Sequence, residues 1–219
     1  MKAIRIHEYG DAGTLRLEEV QNPSISEDQI LVRVHDAGVN PVDWKIRQGD
    51  MKQVIAASFP LTIGQDVAGE VAKRGTAVKR FAIGDRVFGF AQGAYAEYAA
   101  APESTVAPMP ESMGYATAAA LPTAGLTALQ IIRDAVHARP GMTILIQGAA
   151  GGVGSFATQI ANNFGAKVIG TATGDDLEYL KSLHVDEIVD YKRERFEDKA
   201  RAVDAVVDLV GGETLARSY

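Results

Sequence analysis

The stretch Thr143–Gly154, TILIQGAAGGVG, decides the fold. Its apolar run Ile144-Leu145-Ile146 has the length of a buried strand, small residues stop it, and an apolar helical pattern (Phe156, Ile160, Ala161, Phe164) begins just after. Strand, glycine turn and helix is the context in which a glycine fingerprint has a mechanism. The tight turn lets the backbone approach a pyrophosphate, and the free N–H groups of the helix's first turn point at it. Measured against G-x-G-x-x-G, the match is Ala149, Gly151 and Gly154, with Gly152 as an extra glycine. Alanine in the first place is tolerable at negative φ and strained at positive φ. The stretch predicts a dinucleotide site; the alternative is a glycine-rich turn that binds nothing.

Working outward, strands and helices alternate on the C-terminal side. After Thr143–Gln147 come helix Gly152–Phe164, strand Lys167–Thr171, helix Asp175–Leu183, short strand Glu187–Val189, a charged stretch Lys192–Ala200 and strand Ala205–Leu209. This alternation predicts βαβ units and a parallel sheet. Only four strands can be placed, where two mononucleotide halves have about six. An incomplete chain, strands supplied by a partner, or a half-fold would each account for that. On the N-terminal side, Tyr115–Leu121 and Leu126–Ala138 read as helical, with Pro122 interrupting and His137, Arg139 and Pro140 as the stop.

The first hundred residues predict β structure. Lys2–His7, Leu15–Val20, Gln29–Val34, Val67–Val71, Arg86–Phe90 and Ala94–Ala99 read as short strands separated by turn residues, and WKIRQG reads as helical turns ended by Gly49. The expected organisation is an antiparallel β lobe over residues 1–112 and a doubly wound α/β lobe over 113–219.

Composition bounds the function classes. The chain is 47% hydrophobic and 23% charged with net charge -6, and its basic residues are scattered, so nothing points to nucleic acid or an anionic membrane. The start, MKAIRIHEYGD, lacks the apolar core of a signal peptide. Ser112–Ile132 is uncharged and long enough to span a bilayer, yet Pro122, two glycines and four Ser/Thr residues make a buried, jointed helix the better reading. The absence of cysteine removes disulfides and thiolate zinc sites and is compatible with a cytoplasmic protein. The four histidines have no ligand spacing.

Several collinear stretches resemble the zinc-free, zeta-crystallin-like quinone oxidoreductase branch of the medium-chain dehydrogenase/reductase superfamily. They are AGVNPVDWKIRQG (Ala37–Gly49), IGQDVAGEV (Ile63–Val71), GDRVFG (Gly84–Gly89), GAYAEYAAAP (Gly93–Pro102), ALPTAGLTA (Ala120–Ala128), GAAGGVG (Gly148–Gly154) and Asp190-Tyr191. The resemblance implies a GroES-like β-barrel lobe, a Rossmann lobe, an active site in the cleft between them and a nicotinamide-dependent reductase. It also implies that family members continue past Tyr219, completing the Rossmann sheet, with part of that further segment often forming a homodimer interface. Zinc-dependent relatives place a cysteine where this chain has Val39-Asn40 and Gly-His-Glu where it has Gly64-Gln65-Asp66, so the resemblance implies metal-free catalysis. A reductase without a Lewis acid suits quinones and α,β-unsaturated carbonyls, which are already activated for hydride addition.

Residue by residue, Asn40 resembles the family's active-site asparagine; an ordinary Asn-Pro turn is the alternative. Thr123 and Thr127 resemble threonines facing the nicotinamide end, or are hydroxyls satisfied within buried helix. The expected catalytic residues are Asn40 and Thr127, which with Thr123 also contact the cofactor. Asp43 caps the WKIRQG turn or holds a catalytic hydrogen-bond network. Tyr95 and Tyr98 read as packing. Several enoyl reductases of the superfamily carry a tyrosine just after the glycine matching Gly49; here Asp50, Met51 and Lys52 follow, so no tyrosine acid carries over.

Gly148, Ala150, Gly151, Gly152, Val153 and Gly154 are the expected pyrophosphate cradle, and Val210-Gly211 is expected beside the nicotinamide ribose. The second strand ends in Gly170-Thr171-Ala172-Thr173-Gly174 with no carboxylate for a ribose 2′-OH, which favours NADPH over NADH. Thr171, Thr173 and Tyr191 are the expected pocket residues and Lys192 a further charge, with Asp175 and Asp176 opposing. The expected function is NADPH-dependent hydride transfer to a quinone or enone. The competing one is an NADPH-binding sensor or structural protein with little turnover.

Overall fold

A computed structural model describes residues 1–55 and 58–218, and the chain divides into two compact units, Met1–Thr123 and Ala124–Tyr219. In the first unit the elements run β1 (Lys2–Ile6), β2 (Arg16–Glu19), β3 (Gln29–Ala37), α1 (Pro41–Gln48), β4 (Leu61–Thr62), β5 (Asp66–Arg74), β6 (Arg86–Phe90), β7 (Tyr98–Pro102), β8 (Val106–Pro108) and α2 (Tyr115–Ala119). They form a five-stranded antiparallel sheet in the order β7-β3-β5-β6-β8 and a three-stranded sheet in the order β2-β1-β4. Irregular register between β3 and β5, at Leu31/Val32 and Val34/Asp36, curls the larger sheet. Ile30, Val32, Val67, Val71, Phe81, Val87 and Val106 form a buried core in this unit.

Two sequence expectations are corrected in this unit. The strand expected at Ala94–Ala99 lies at Tyr98–Pro102. Residues before it turn an irregular corner: Gly93 sits at φ +70°, the N–H groups of Ala94 and Tyr95 donate to the Gly64 and Ile63 carbonyls, and Ala3 bridges Ala96. The short strands β4 and β8 had no alternating signal long enough to read. Pro122, expected to interrupt a helix, begins one: α3 (Pro122–Leu129) carries it in the first turn, where its missing N–H is no loss.

In the second unit, α3 leads into a wider π-type segment, Gln130–Ala135, followed by β9 (Thr143–Gln147), α4 (Gly152–Asn163), β10 (Lys167–Ala172), α5 (Asp176–Ser182), β11 (Glu187–Asp190), α6 (Phe196–Lys199), β12 (Ala205–Asp208) and α7 (Glu213–Arg217). The four strands are all parallel, in the order β11-β10-β9-β12. Both faces are covered. Ile144 and Ile146 pack with Ala157, Ala161 and Leu180 on one side, while Leu145 packs with Ile169, Val189 and Phe196 on the other. That is why β9 reads as a continuous apolar run rather than an alternation. Strand order reverses at β9: β10 and β11 follow on one side and β12 lies on the other, which makes the carboxyl end of β9 the switch point of a Rossmann-type sheet. No helix among the described residues is long and apolar enough to cross a membrane.

Candidate functional site

The glycine turn sits at that switch point. The positive φ falls on Gly148, at +70°, and Ala149 keeps an ordinary backbone, so its side chain is tolerated where glycine was the expected residue. Ala149 is buried, and Gly170 in the neighbouring strand makes room for it: a Cβ at Gly170 would lie 3.0 Å from that of Ala149. Gly151 is the N-cap of α4 at φ -70°, with its N–H on the Gly148 carbonyl at 3.0 Å. Gly154 is required for contact, because a Cβ there would fall 2.8 Å from Ala149 Cα and closer still to the Gly148 oxygen. Gly151 and Gly152 are exposed and Ala150 and Val153 partly so, which leaves the first turn of a twelve-residue helix open to an anion.

Beneath the turn lies Thr171, 2% exposed. Its hydroxyl accepts the Gly148 N–H at 3.0 Å and donates to Gln147 Oε1 at 2.9 Å. The side chain thus reaches the turn's own backbone and not the open surface, a correction to its expected place lining a pocket. Thr173, half-buried, follows the end of β10, and Tyr191 is 56% exposed with its N–H on the Ala172 carbonyl. Tyr191 and Thr173 therefore flank the carboxyl ends of adjacent strands. Asp175 and Asp176 are exposed, and Asp175 makes no side-chain capping bond, so α5 does not absorb its charge by a cap. Val210 is 60% exposed and approaches Gly148, whose added Cβ would lie 3.2 Å from Val210 Cγ2. Asp208 Oδ1 holds this corner by accepting the N–H groups of Val210 (2.7 Å) and Gly211 (2.9 Å). Thr127, on α3, is exposed.

In the first unit a second group of predicted residues converges on buried carboxylates. Asn40 caps α1 and is half-buried. Its backbone N–H donates to Asp43 Oδ2 at 2.7 Å, and its Nδ2 donates to Asp66 Oδ2 at 2.9 Å. Asp43 therefore caps the helix, and its Oδ2 also accepts the Tyr95 hydroxyl at 2.8 Å. Tyr95, read from sequence as packing, belongs to this network. Burial pushes its hydroxyl well above the usual tyrosine range, and the bond to Asp43 adds to that. Burial also raises the Asp43 carboxyl, against the lowering effect of its two donors.

Asp66 was missed as a site residue. It is fully buried, and it accepts from Asn40, from the Thr123 N–H (3.0 Å) and from Thr123 Oγ1 (2.6 Å). The sequence did carry a signal, a lone acid opening the apolar strand DVAG, since a buried acid needs partners. Close by, Ile46, Leu61, Ile63, Gly64, Gln65 and Phe90 are among the residues lining a cavity of about 510 Å³.

Residues 26–111 match the alcohol dehydrogenase GroES-like domain and residues 152–219 match the zinc-binding dehydrogenase family. The chain is 42% identical to a tomato (Solanum lycopersicum) 2-methylene-furan-3-one reductase, over 96% of this chain and 57% of that protein. It is 36% identical to the quinone oxidoreductase of Rattus norvegicus, over 99% of this chain and 68% of that one. Among solved structures, the quinone oxidoreductase of Coxiella burnetii superposes with a TM-score of 0.91 at 37% identity, covering 100% of this chain and 71% of that one. The Escherichia coli quinone oxidoreductase complexed with NADPH gives 0.91 at 30% identity, covering 100% and 69%. This chain therefore belongs to the medium-chain dehydrogenase/reductase superfamily. Within that superfamily it belongs to the quinone oxidoreductase family, and it spans between about half and three quarters of the length of the relatives just named.

The superfamily's metal-dependent members raise the question of zinc, and the donor set here does not fit it. Val39 offers no ligand atom, Asn40 and Gln65 offer amides, and Asp66 is occupied by three protein donors.

Proposed function

We propose that this protein is an NADPH-dependent reductase of quinones or α,β-unsaturated carbonyls that works without metal. The observation that carries the reading is the turn from Gly148 to Gly154, positive at Gly148, too tight for a side chain at Gly154, and open at Gly151–Gly152 where α4 begins. Those residues fit a pyrophosphate, with Ala150 and Val153 beside it. The reductase and quinone oxidoreductase names of the relatives, and the NADPH complex of one neighbour, support the cofactor and substrate class.

The 2′-phosphate falls to Thr173, Tyr191 and Lys192, on a strand end that has no carboxylate of its own. Val210 and Gly211 lie beside Gly148 and serve the ribose at the reactive end. Asn40, Thr123 and Thr127 serve the nicotinamide, on the resemblance of their motifs. When bound, NADPH supplies the hydride for the electrophilic carbon, and a solvent proton completes the reduction. Thr171 keeps the turn in shape from below, while Asn40 and Thr123 orient what binds beside them. Tyr95 does not act as the acid: burial raises its hold on its proton, and its hydroxyl is committed as donor to Asp43 Oδ2.

Turnover of a quinone and enone panel with NADPH, lost in Gly151→Asp, is the expected result. Full activity in Gly151→Asp would remove the turn from the reaction. Saturable NADPH binding with no acceptor turned over would favour the sensor or structural reading instead.

A further inference from the structure

The carboxyl ends of β10, β9 and β12 carry one polar row. Ile169, Leu145 and Val206 are register partners across these strands. Two residues further along each strand, and so on the same face of the sheet, stand Thr171, Gln147 and Asp208. Gln147 and Asp208 are themselves register partners. The first link of the row is formed: the Thr171 hydroxyl accepts the Gly148 N–H at 3.0 Å, and its single proton goes to Gln147 Oε1 at 2.9 Å. That bond fixes the carboxamide. Oε1 faces β10, which leaves Nε2 on the side away from Thr171, and β12 is the strand on that side. Gln147 is 2% exposed, and its Nε2 is a buried donor with no partner among the described residues. On the neighbouring register position, Asp208 Oδ2 is a buried acceptor with none. The other oxygen of that carboxylate, Oδ1, holds the Val210 and Gly211 N–H groups at 2.7 and 2.9 Å. Leaving such a donor and such an acceptor unpaired is costly for both, and each is what the other needs.

We infer that Gln147 is a positioning residue, joined to Asp208 through one shared water, that ties the glycine turn to the Val210–Gly211 corner. The water accepts from Nε2 and donates to Oδ2, the two polar partners such a site requires. One chain of bonds then runs from the Gly148 N–H through Thr171, Gln147 and Asp208 to Val210 and Gly211, across the ends of three strands. The turn and the corner, which also approach each other at Gly148 and Val210, are held at one spacing. What this does for a ligand rests on the reading proposed above, in which the turn takes the pyrophosphate and the corner the ribose beside it. The link itself does not depend on that reading.

Gln147→Met tests the link, since it keeps the length of the side chain and removes the donor. In ligand-free, 15N-labelled protein the Val210 and Gly211 N–H groups exchange with water about three- to tenfold faster in the variant, the order of one lost hydrogen bond. A role confined to supporting Thr171 would not reach these two groups. The Val168 N–H, held by Asp186 Oδ2 at 2.8 Å near the other end of the sheet, keeps its rate and reports any general loosening. Unchanged exchange at Val210 and Gly211 in a folded Gln147→Met protein would overturn the link.

A second measurement needs no variant. In wild-type protein labelled with 15N-glutamine, the Gln147 side-chain NH2 shows magnetisation transfer to a long-lived water; its absence would overturn the shared water. The ligand arm uses NADPH, which binds Gln147→Met about three- to tenfold more weakly than wild type. Faster exchange at the corner with unchanged NADPH affinity would overturn the positioning role. If wild type binds no NADPH while the corner responds to Gln147→Met, the cofactor reading fails and the link stands.

Discussion

At the scale of single residues, two glycines and one aspartate give the sharpest tests. Gly154 and Gly151 have different reasons to be glycine. A Cβ at Gly154 would collide with the Gly148–Ala149 backbone, so Gly154→Ala overpacks the turn and lowers stability by about 2 kcal/mol, read as a fall in Tm. The nearest neighbour of a Cβ at Gly151 is the Gly148 oxygen at 3.3 Å. Gly151→Asp should keep most of the stability and lose NADPH affinity by roughly a hundredfold or more, about 2.7 kcal/mol, as the carboxylate meets pyrophosphate. Asp43 gives a pH signature. Its folded carboxyl titrates above its unfolded value because it is buried. Below the ordinary aspartate range, about pH 4, both states are protonated and nothing is lost. As pH rises through the folded value, charging the buried group destabilises the fold. The Tm of Asp43→Asn minus that of wild type should therefore increase from pH 4 upward; a gap independent of pH would contradict the burial argument.

At the scale of elements, α3 depends on a residue far from it in sequence. It starts at Pro122 with Leu121 before it, a side chain that cannot cap, and Asp66 on β5 accepts the Thr123 N–H in place of a local cap. Asp66→Ala would leave the Thr123 and Asn40 donors without their acceptor and destabilise by about 1–3 kcal/mol for each donor left unpaired, measured by denaturant unfolding. Thr171→Val at the end of β10 leaves the Gly148 N–H and Gln147 unpaired, about 1–3 kcal/mol, and weakens NADPH binding through the turn. These long-range partnerships mark the limit of what the sequence discloses. The strand–turn–helix from Thr143 to Gly154 was legible because each feature is local: an apolar run, small residues, then a helical period. Arg86–Phe90 and the Gly49 end of α1 were legible for the same reason. Tyr95 was not, since an alternating strand hides a hydroxyl whose partner lies 52 residues away, and the corner that displaced the expected Ala94–Ala99 strand is fixed by tertiary hydrogen bonds.

At the scale of the whole molecule, the question is which cofactor the parallel-sheet unit is built for. Strand β10 ends without a carboxylate, which favours the 2′-phosphate, yet Asp175 and Asp176 stand exposed just beyond it. With a net charge of -6 the field opposes a further phosphate, so Asp175→Lys should tighten NADPH about three- to tenfold at low salt, leave NADH nearly unchanged, and lose that gain as salt rises. The measurement that bears most directly on the account is a fluorescence titration of this protein with NADPH and with NADH, repeated on Gly151→Asp. The account predicts saturable binding that favours NADPH and disappears in the variant. Preference for NADH would contradict the assignment of Thr173 and Tyr191, and binding that survives Gly151→Asp would contradict the turn itself.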